Sequence, residues 1–180
     1  MSLVEIRYAE ALVNLAFERN RVEQYKTELY KVSDIYQKHT ELKAFLLNMK
    51  IHANIKKETI EKLFNQNVSS DVKNFLKLLL DKKRIKHLPG IVKEFSSIAD
   101  KKRNILNITI YSAFPLGDSQ VERIKDKYRK IYNAASVKAD IRIDKNLIGG
   151  IKIKIGDKII DATIVSKIEM LKEMLKEVDL

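Results

Sequence analysis

Hydrophobic residues recur at helical spacing through the first hundred positions of the chain and at alternating spacing after that. Leu3 to Arg19 carries a stripe of Val4, Tyr8, Ala11, Leu12 and Leu15, and Val22, Tyr25, Leu29, Val32 and Tyr36 make a second. Thr40 is placed to cap a short third helix through Leu47, Asn54 to cap Ile55 to Phe64, and Ser69 or Ser70 to cap Asp71 to Lys82. Pro89 suits the first turn of a helix ending near Lys102, because its missing N–H would be unpaired there in any case. Six amphipathic helices with short links predict a bundle, since each apolar stripe has to be covered by a neighbour.

At Asn104 the period changes. Leu106, Ile108 and Ile110 take one face of a strand from Ile105 to Tyr111, and Pro115-Leu116-Gly117-Asp118 breaks it before a helix from about Ser119 to Asn133. A second strand runs from Val137 to Ile143. Ile151, Ile153 and Ile155 then lie on one face of a third, with Lys152 and Lys154 on the other, and Gly156-Asp157 fits a two-residue hairpin turn. Beyond Asp161, residues Ile164, Ile168, Leu171, Leu175 and Val178 form a narrow heptad-like stripe that suits pairing with another helix. The expected fold class is therefore α+β. An amino-terminal six-helix bundle occupies residues 1–104, and a small α/β carboxy-terminal domain with a short sheet and a terminal helix occupies 105–180.

Two of the helices are more apolar than one buried face requires. Ala9, Val13, Ala16 and Phe17 widen the first stripe, while Leu78 and Leu80 join Val72, Phe75, Leu76 and Leu79 in the fifth helix. Either both helices sit at the centre of the bundle, or a groove between them receives an amphipathic helix from another protein. The pattern alone leaves both readings open.

Composition then removes whole classes of chemistry. The chain has no cysteine, which excludes disulfides, thiolate nucleophiles and cysteine-ligated zinc or iron-sulfur clusters. His39, His52 and His87 lack metal-ligand spacing. Gly149-Gly150 and Gly156 are flanked by strand and are not followed by the lysine and hydroxyl residue of a phosphate-binding loop. Asp140, Asp144, Asp157 and Asp161 sit at strand ends and turns, where aspartate serves local hydrogen bonding. No catalytic, cofactor or metal site is expected. The longest apolar runs fall far short of the roughly 20 residues that cross a bilayer, so no direct membrane insertion is expected. Met1 to Arg19 carries Glu5, Glu10 and Glu18, where a signal or transit peptide avoids acids.

The net charge is +11, of which +8 falls in residues 1–104 (21 basic against 13 acidic) and +3 in 105–180. The densest runs, Lys82-Lys83-Arg84-Ile85-Lys86 and Lys101-Lys102-Arg103, lie where helices end and the dipole favours cations. Neither run interleaves aromatics, as a nucleic-acid face would. Solvated helix ends are the first reading, no nucleic-acid partner is expected, and a basic helical module that binds RNA is the alternative. Such an excess also suits docking on acidic partners.

The order of these pieces is similar to that of a known family. Arg7-Tyr8-Ala9-Glu10-Ala11-Leu12, Lys83-Arg84-Ile85-Lys86-His87-Leu88-Pro89, and Ile143-Asp144-Lys145-Asn146-Leu147-Ile148-Gly149-Gly150 through Gly156-Asp157-Lys158-Ile159-Ile160-Asp161 resemble the delta subunit of F-type ATP synthase. Its mitochondrial counterpart is the oligomycin-sensitivity-conferring subunit. The likeness spans essentially the whole chain, and the closing motif is its specific part. One departure is Ala162-Thr163, where the family often has glycine then serine; threonine keeps the hydroxyl that can cap the last helix.

The resemblance implies a non-catalytic peripheral-stalk (stator) subunit that links the catalytic head to the b subunits of the membrane sector, so that rotation drives ATP synthesis. It implies that the groove between the first and fifth helices takes the amino-terminal helix of an alpha subunit, which carries over to Tyr8, Ala11, Leu12, Leu15, Val72, Phe75, Leu76 and Leu79. The carboxy-terminal domain would hold the b subunits, with Ile164, Ile168, Leu171 and Leu175 as candidates. A single copy per complex is implied, attached peripherally on the cytoplasmic face of a bacterial inner membrane or the stromal face of thylakoids.

Overall fold

A computed structural model describes residues 2–65 and 68–178, with side chains up to Glu173. The chain divides into two compact units, residues 1–99 and 100–180. Helices and a mixed four-stranded sheet make up the described residues, an α+β arrangement.

The first unit contains α1 (Leu3–Glu18), α2 (Val22–Lys38), α3 (Thr40–Leu47), α4 (Ala53–Phe64) and α5 (Ser70–Asp81); a 3₁₀ turn, Ile85–His87, leads into α6 (Leu88–Lys102), whose last residues from Asp100 belong to the second unit. Tyr25, Leu29, Leu76, Leu79, Ile91 and Phe95 are almost wholly buried at its centre. Ser2 and Glu5 form a reciprocal capping box at the start of α1.

Later caps differ from the sequence expectation. The backbone leaves the extended conformation one residue before Thr40 and two before Asn54, so His39 and His52 occupy the cap positions without a side-chain bond. Ser69 does precede α5, yet its hydroxyl does not close on its own helix. Its N–H and Oγ both donate to Glu28 Oε2 of α2, at 2.9 and 2.6 Å. A buried carboxylate thus sits at the N-terminus of α5, where the helix dipole favours negative charge.

Among the described residues, four helix ends place a non-glycine residue in the left-handed region: Asn20, Lys83, Asn104 and Asn133. After α1 and α5 the chain closes with paired bonds, Arg21 N–H to Ala16 O at 2.9 Å and Arg84 N–H to Leu79 O at 2.7 Å. Asparagine tolerates this conformation and lysine does so less readily.

The second unit contains β1 (Ile105–Ser112), α7 (Asp118–Ile131), β2 (Ser136–Ile143), β3 (Gly150–Ile155), β4 (Lys158–Thr163) and α8 (Ile164–Val178). Strand order is β2-β1-β3-β4, with β1 parallel to β2 across the α7 crossover and the other pairs antiparallel. Ile110 faces Ile141 on one side and Ile153 on the other, and Ile108, Ile110, Ile153, Ile155 and Tyr128 form the core. Asp100, at the end of α6, accepts from Asn107 Nδ2 at 3.0 Å and Lys138 Nζ at 2.9 Å. Asp100 and both of its partners belong to the second unit.

The glycines of the closing stretch serve backbone geometry. Gly156 has φ +58° in the two-residue turn closed by the Ile155–Lys158 pair. Gly150 has φ +79°, and a Cβ there would lie 2.5 Å from Ala162 O. Thr163 Oγ1 accepts from Ser166 N–H at 3.3 Å, so the hydroxyl retained in place of serine caps α8.

Candidate functional site

One face of α1 and one face of α5 border an open groove of about 530 Å³. Arg7, Tyr8, Ala11, Leu12 and Leu15 line it from α1; Asp71, Asn74, Phe75 and Leu78 line it from α5; Arg84 reaches it from the following link. The spacing on each helix is that of a single face, so the groove is bordered by one face of each helix.

Tyr8 and Phe75 meet edge to face across the floor, with ring centroids 6.2 Å apart and planes at 67°. The Arg84 guanidinium lies 5.5 Å from the Tyr8 centroid, a cation–π contact that holds the ring. The Asp71 carboxylate accepts a short hydrogen bond from Tyr25 Oη. Burial, together with that bond, pushes the Tyr25 hydroxyl up to about 12. The result is an apolar floor with arginines and polar groups along its edges.

Of the residues assigned to this groove from sequence, Tyr8, Ala11, Leu12, Leu15 and Phe75 line it. Val72, Leu76 and Leu79 do not; they are 0%, 1% and 0% exposed and belong to the core of the helical unit. The face of α5 that meets the groove is the neighbouring one. Leu78, 43% exposed, supplies its aliphatic anchor, and the widened apolar stripe of α5 was the signal for it. Arg7, Asp71, Asn74 and Arg84 had no such signal, because hydrophobic periodicity does not mark polar rims.

A second apolar surface lies on α8. Ile164, Ile168 and Leu171 are 47%, 48% and 58% exposed on one stripe, and the side chain of Leu175, assigned to the same stripe, lies outside the described residues. Half-exposed aliphatics at this spacing are suited to a helix–helix seam. Among the described residues, no group of three His, Cys, Asp or Glu side chains is placed to hold a metal ion, and no helix is long and apolar enough to cross a membrane.

Comparison with known proteins agrees at the level of sequence and fold. The family described as ATP synthase delta (OSCP) subunit matches residues 4–175. The ATP synthase subunit delta of Acetivibrio thermocellus is 47% identical over 175 residues, covering 97% of this chain and 98% of that one. That of Syntrophomonas wolfei is 36% identical over 171 residues, covering 95% and 93%. A chain in the cryo-EM structure of the Toxoplasma gondii mitochondrial ATP synthase hexamer shares the fold with a TM-score of 0.68 at 20% identity, covering 97% of this chain and 98% of that chain. The RNA-binding alternative gains no support from any of these. This chain belongs to the ATP synthase delta (OSCP) subunit family.

Proposed function

We propose that this chain is the non-catalytic peripheral-stalk subunit of an F-type ATP synthase, tying the catalytic head to the b subunits of the membrane sector. Residues 1–104 act as a six-helix bundle that receives the amino-terminal helix of an alpha subunit between α1 and α5. Residues 105–180 hold the stalk through the apolar stripe of α8. The observation that carries this reading is the open, apolar-floored groove between α1 and α5, which has the form of a helix receptor.

The mechanics follow from torque. A turning central shaft drags on the head, so the head stays still only if tied by contacts that dissociate slowly compared with turnover. Helix burial in a groove and a second helical seam can together reach a standard interface of about 1,600 Å². Two sites in one chain also gain from effective concentration, since release of one leaves the other engaged. Attachment through partners accounts for a peripheral location, no helix among the described residues being long and apolar enough to cross a membrane.

The test is co-purification from membranes on a tagged full-length chain. Alpha and b subunits are both recovered with the parent chain; Leu78→Asp loses alpha and keeps b, and Leu171→Asp does the reverse. Recovery of neither subunit by the parent chain contradicts the proposal.

A further inference from the structure

The basic run after α5 has one residue, Arg84, in the groove; its lysines are directed elsewhere. We propose that Lys83 and Lys86, with Lys56 of α4, form a docking site for an acidic protein segment that carries an aliphatic anchor. The site is a cavity of about 350 Å³ where the end of α3, the start of α4 and the end of α5 meet, and it shares no lining residue with the α1/α5 groove.

Its floor is aliphatic, with Leu46, Leu80 and Ile85 buried beneath the opening. Leu47 and Met49 stand at the mouth, 40% and 87% exposed, where an incoming side chain would cover them. The described lining residues include three lysines and His52 but no acid, and no Phe, Tyr or Trp on which a base could stack. The charge and the floor therefore fit an acidic peptide better than a nucleic acid.

The lysines here are unlike their neighbours. Lys57 pairs with Asp81 at 2.6 Å, Lys73 pairs with Glu61 at 2.9 Å, and Lys77 also pairs with Glu61. Lys56 is only 8% exposed, yet its Nζ donates to the neutral Asn48 carbonyl at 2.7 Å, and among the described residues no carboxylate meets it. An ammonium that meets a carbonyl and no carboxylate among the described residues is open to pairing, and a carboxylate from a partner in the cavity would supply it. Lys83 holds φ +56° at the position where the other left-handed helix ends carry Asn20, Asn104 and Asn133. A lysine in that less favoured backbone conformation, lining the cavity, is in keeping with a use for its charge there.

The test uses fluorescence anisotropy of a labelled glutamate-rich peptide with central leucines, added to the full-length chain at low salt. Binding is expected, weakened at least about tenfold by Lys83→Gly and unaffected by Leu78→Asp in the other groove. Lys83→Gly is the decisive variant because glycine relieves the left-handed backbone, so its melting temperature stays at or above the parent's and lost binding is not lost folding. A peptide with serines for leucines binds more weakly, and Met49 methyl resonances shift only with the leucine peptide. Unchanged affinity in Lys83→Gly overturns the proposal. So does equal binding of the serine peptide, or displacement of the peptide by oligo(dT), which would make the face a nucleic-acid surface.

Discussion

Ser69 at the start of α5 donates both its N–H and its hydroxyl to one carboxylate oxygen of Glu28 on α2, at 2.9 and 2.6 Å. Together with the Tyr25–Asp71 bond two residues further on, this contact fixes the rotation of α5 against α2. That rotation decides which residues face the groove. Glu28→Ala removes both bonds and the favourable charge at the helix N-terminus, and should lower stability by about 1–3 kcal/mol in urea unfolding. An unfolding midpoint equal to the parent's would show that the cap carries no weight.

The two neighbouring leucines of α5 separate folding from docking. Leu76 is 1% exposed, so Leu76→Asp buries a charge in the core and should unfold the helical unit, with a loss of about 3 kcal/mol or more. Leu78 is 43% exposed, and Leu78→Asp should change stability by no more than about 0.5 kcal/mol. Thermal melts followed by circular dichroism distinguish them, and equal melting temperatures would mean the core assignment of Leu76 is incorrect.

Acid stability should depend on Glu5. Its carboxylate lies 2.9 Å from His87 Nδ1 and accepts from Ser2 N–H at 3.3 Å, and a Cβ at Gly90 would come within 2.5 Å of it. The His87 hydrogen bond first, then the Ser2 backbone bond, hold its pKa below the usual carboxylate range. The native state therefore binds this proton more weakly than the unfolded chain. Its contribution is present above the unfolded carboxylate pKa and is lost as pH falls through the lower native value. Glu5→Gln should thus be less stable than the parent at neutral pH, with the gap closing below about pH 4. A gap of constant size across that range contradicts the assignment.

Gly150 and Gly156 both have positive φ but differ in their surroundings. Gly150→Ala drives a methyl to 2.5 Å from Ala162 O, whereas at Gly156 nothing lies within 4 Å of an added Cβ. Gly156→Ala should therefore cost about 1 kcal/mol and Gly150→Ala about 2 kcal/mol or more, by denaturant unfolding. Equal costs would remove the argument that β3 must approach the β4–α8 junction closely.

The contrast between α1 and α5 shows what the sequence can and cannot say about a helix face. On α1 the polar residues Glu10, Asn14 and Glu18 interrupt the apolar pattern, so the position of its stripe is readable and Tyr8, Ala11, Leu12 and Leu15 reach the groove. On α5, Val72, Phe75, Leu76, Leu78, Leu79 and Leu80 spread over more than one face. The choice between them rests on hydrogen bonds from α2, some 40 positions away in the chain. Strand alternation was readable for a similar reason: a period of two leaves no ambiguity once Lys152 and Lys154 mark the polar side. Caps were less so, because Ser69 spends its hydroxyl on Glu28 and the turns before α3 and α4 begin at histidines.

The proposed stalk role stands on the groove between α1 and α5 receiving the amino-terminal helix of an alpha subunit. Isothermal calorimetry with a synthetic peptide of that helix, titrated into the full-length chain and into Leu78→Asp, tests it most directly. Binding to the parent chain is expected, with an affinity lower by about tenfold or more, a loss of about 1.4 kcal/mol, in Leu78→Asp with its melting temperature unchanged. Equal affinity for the two chains would contradict it.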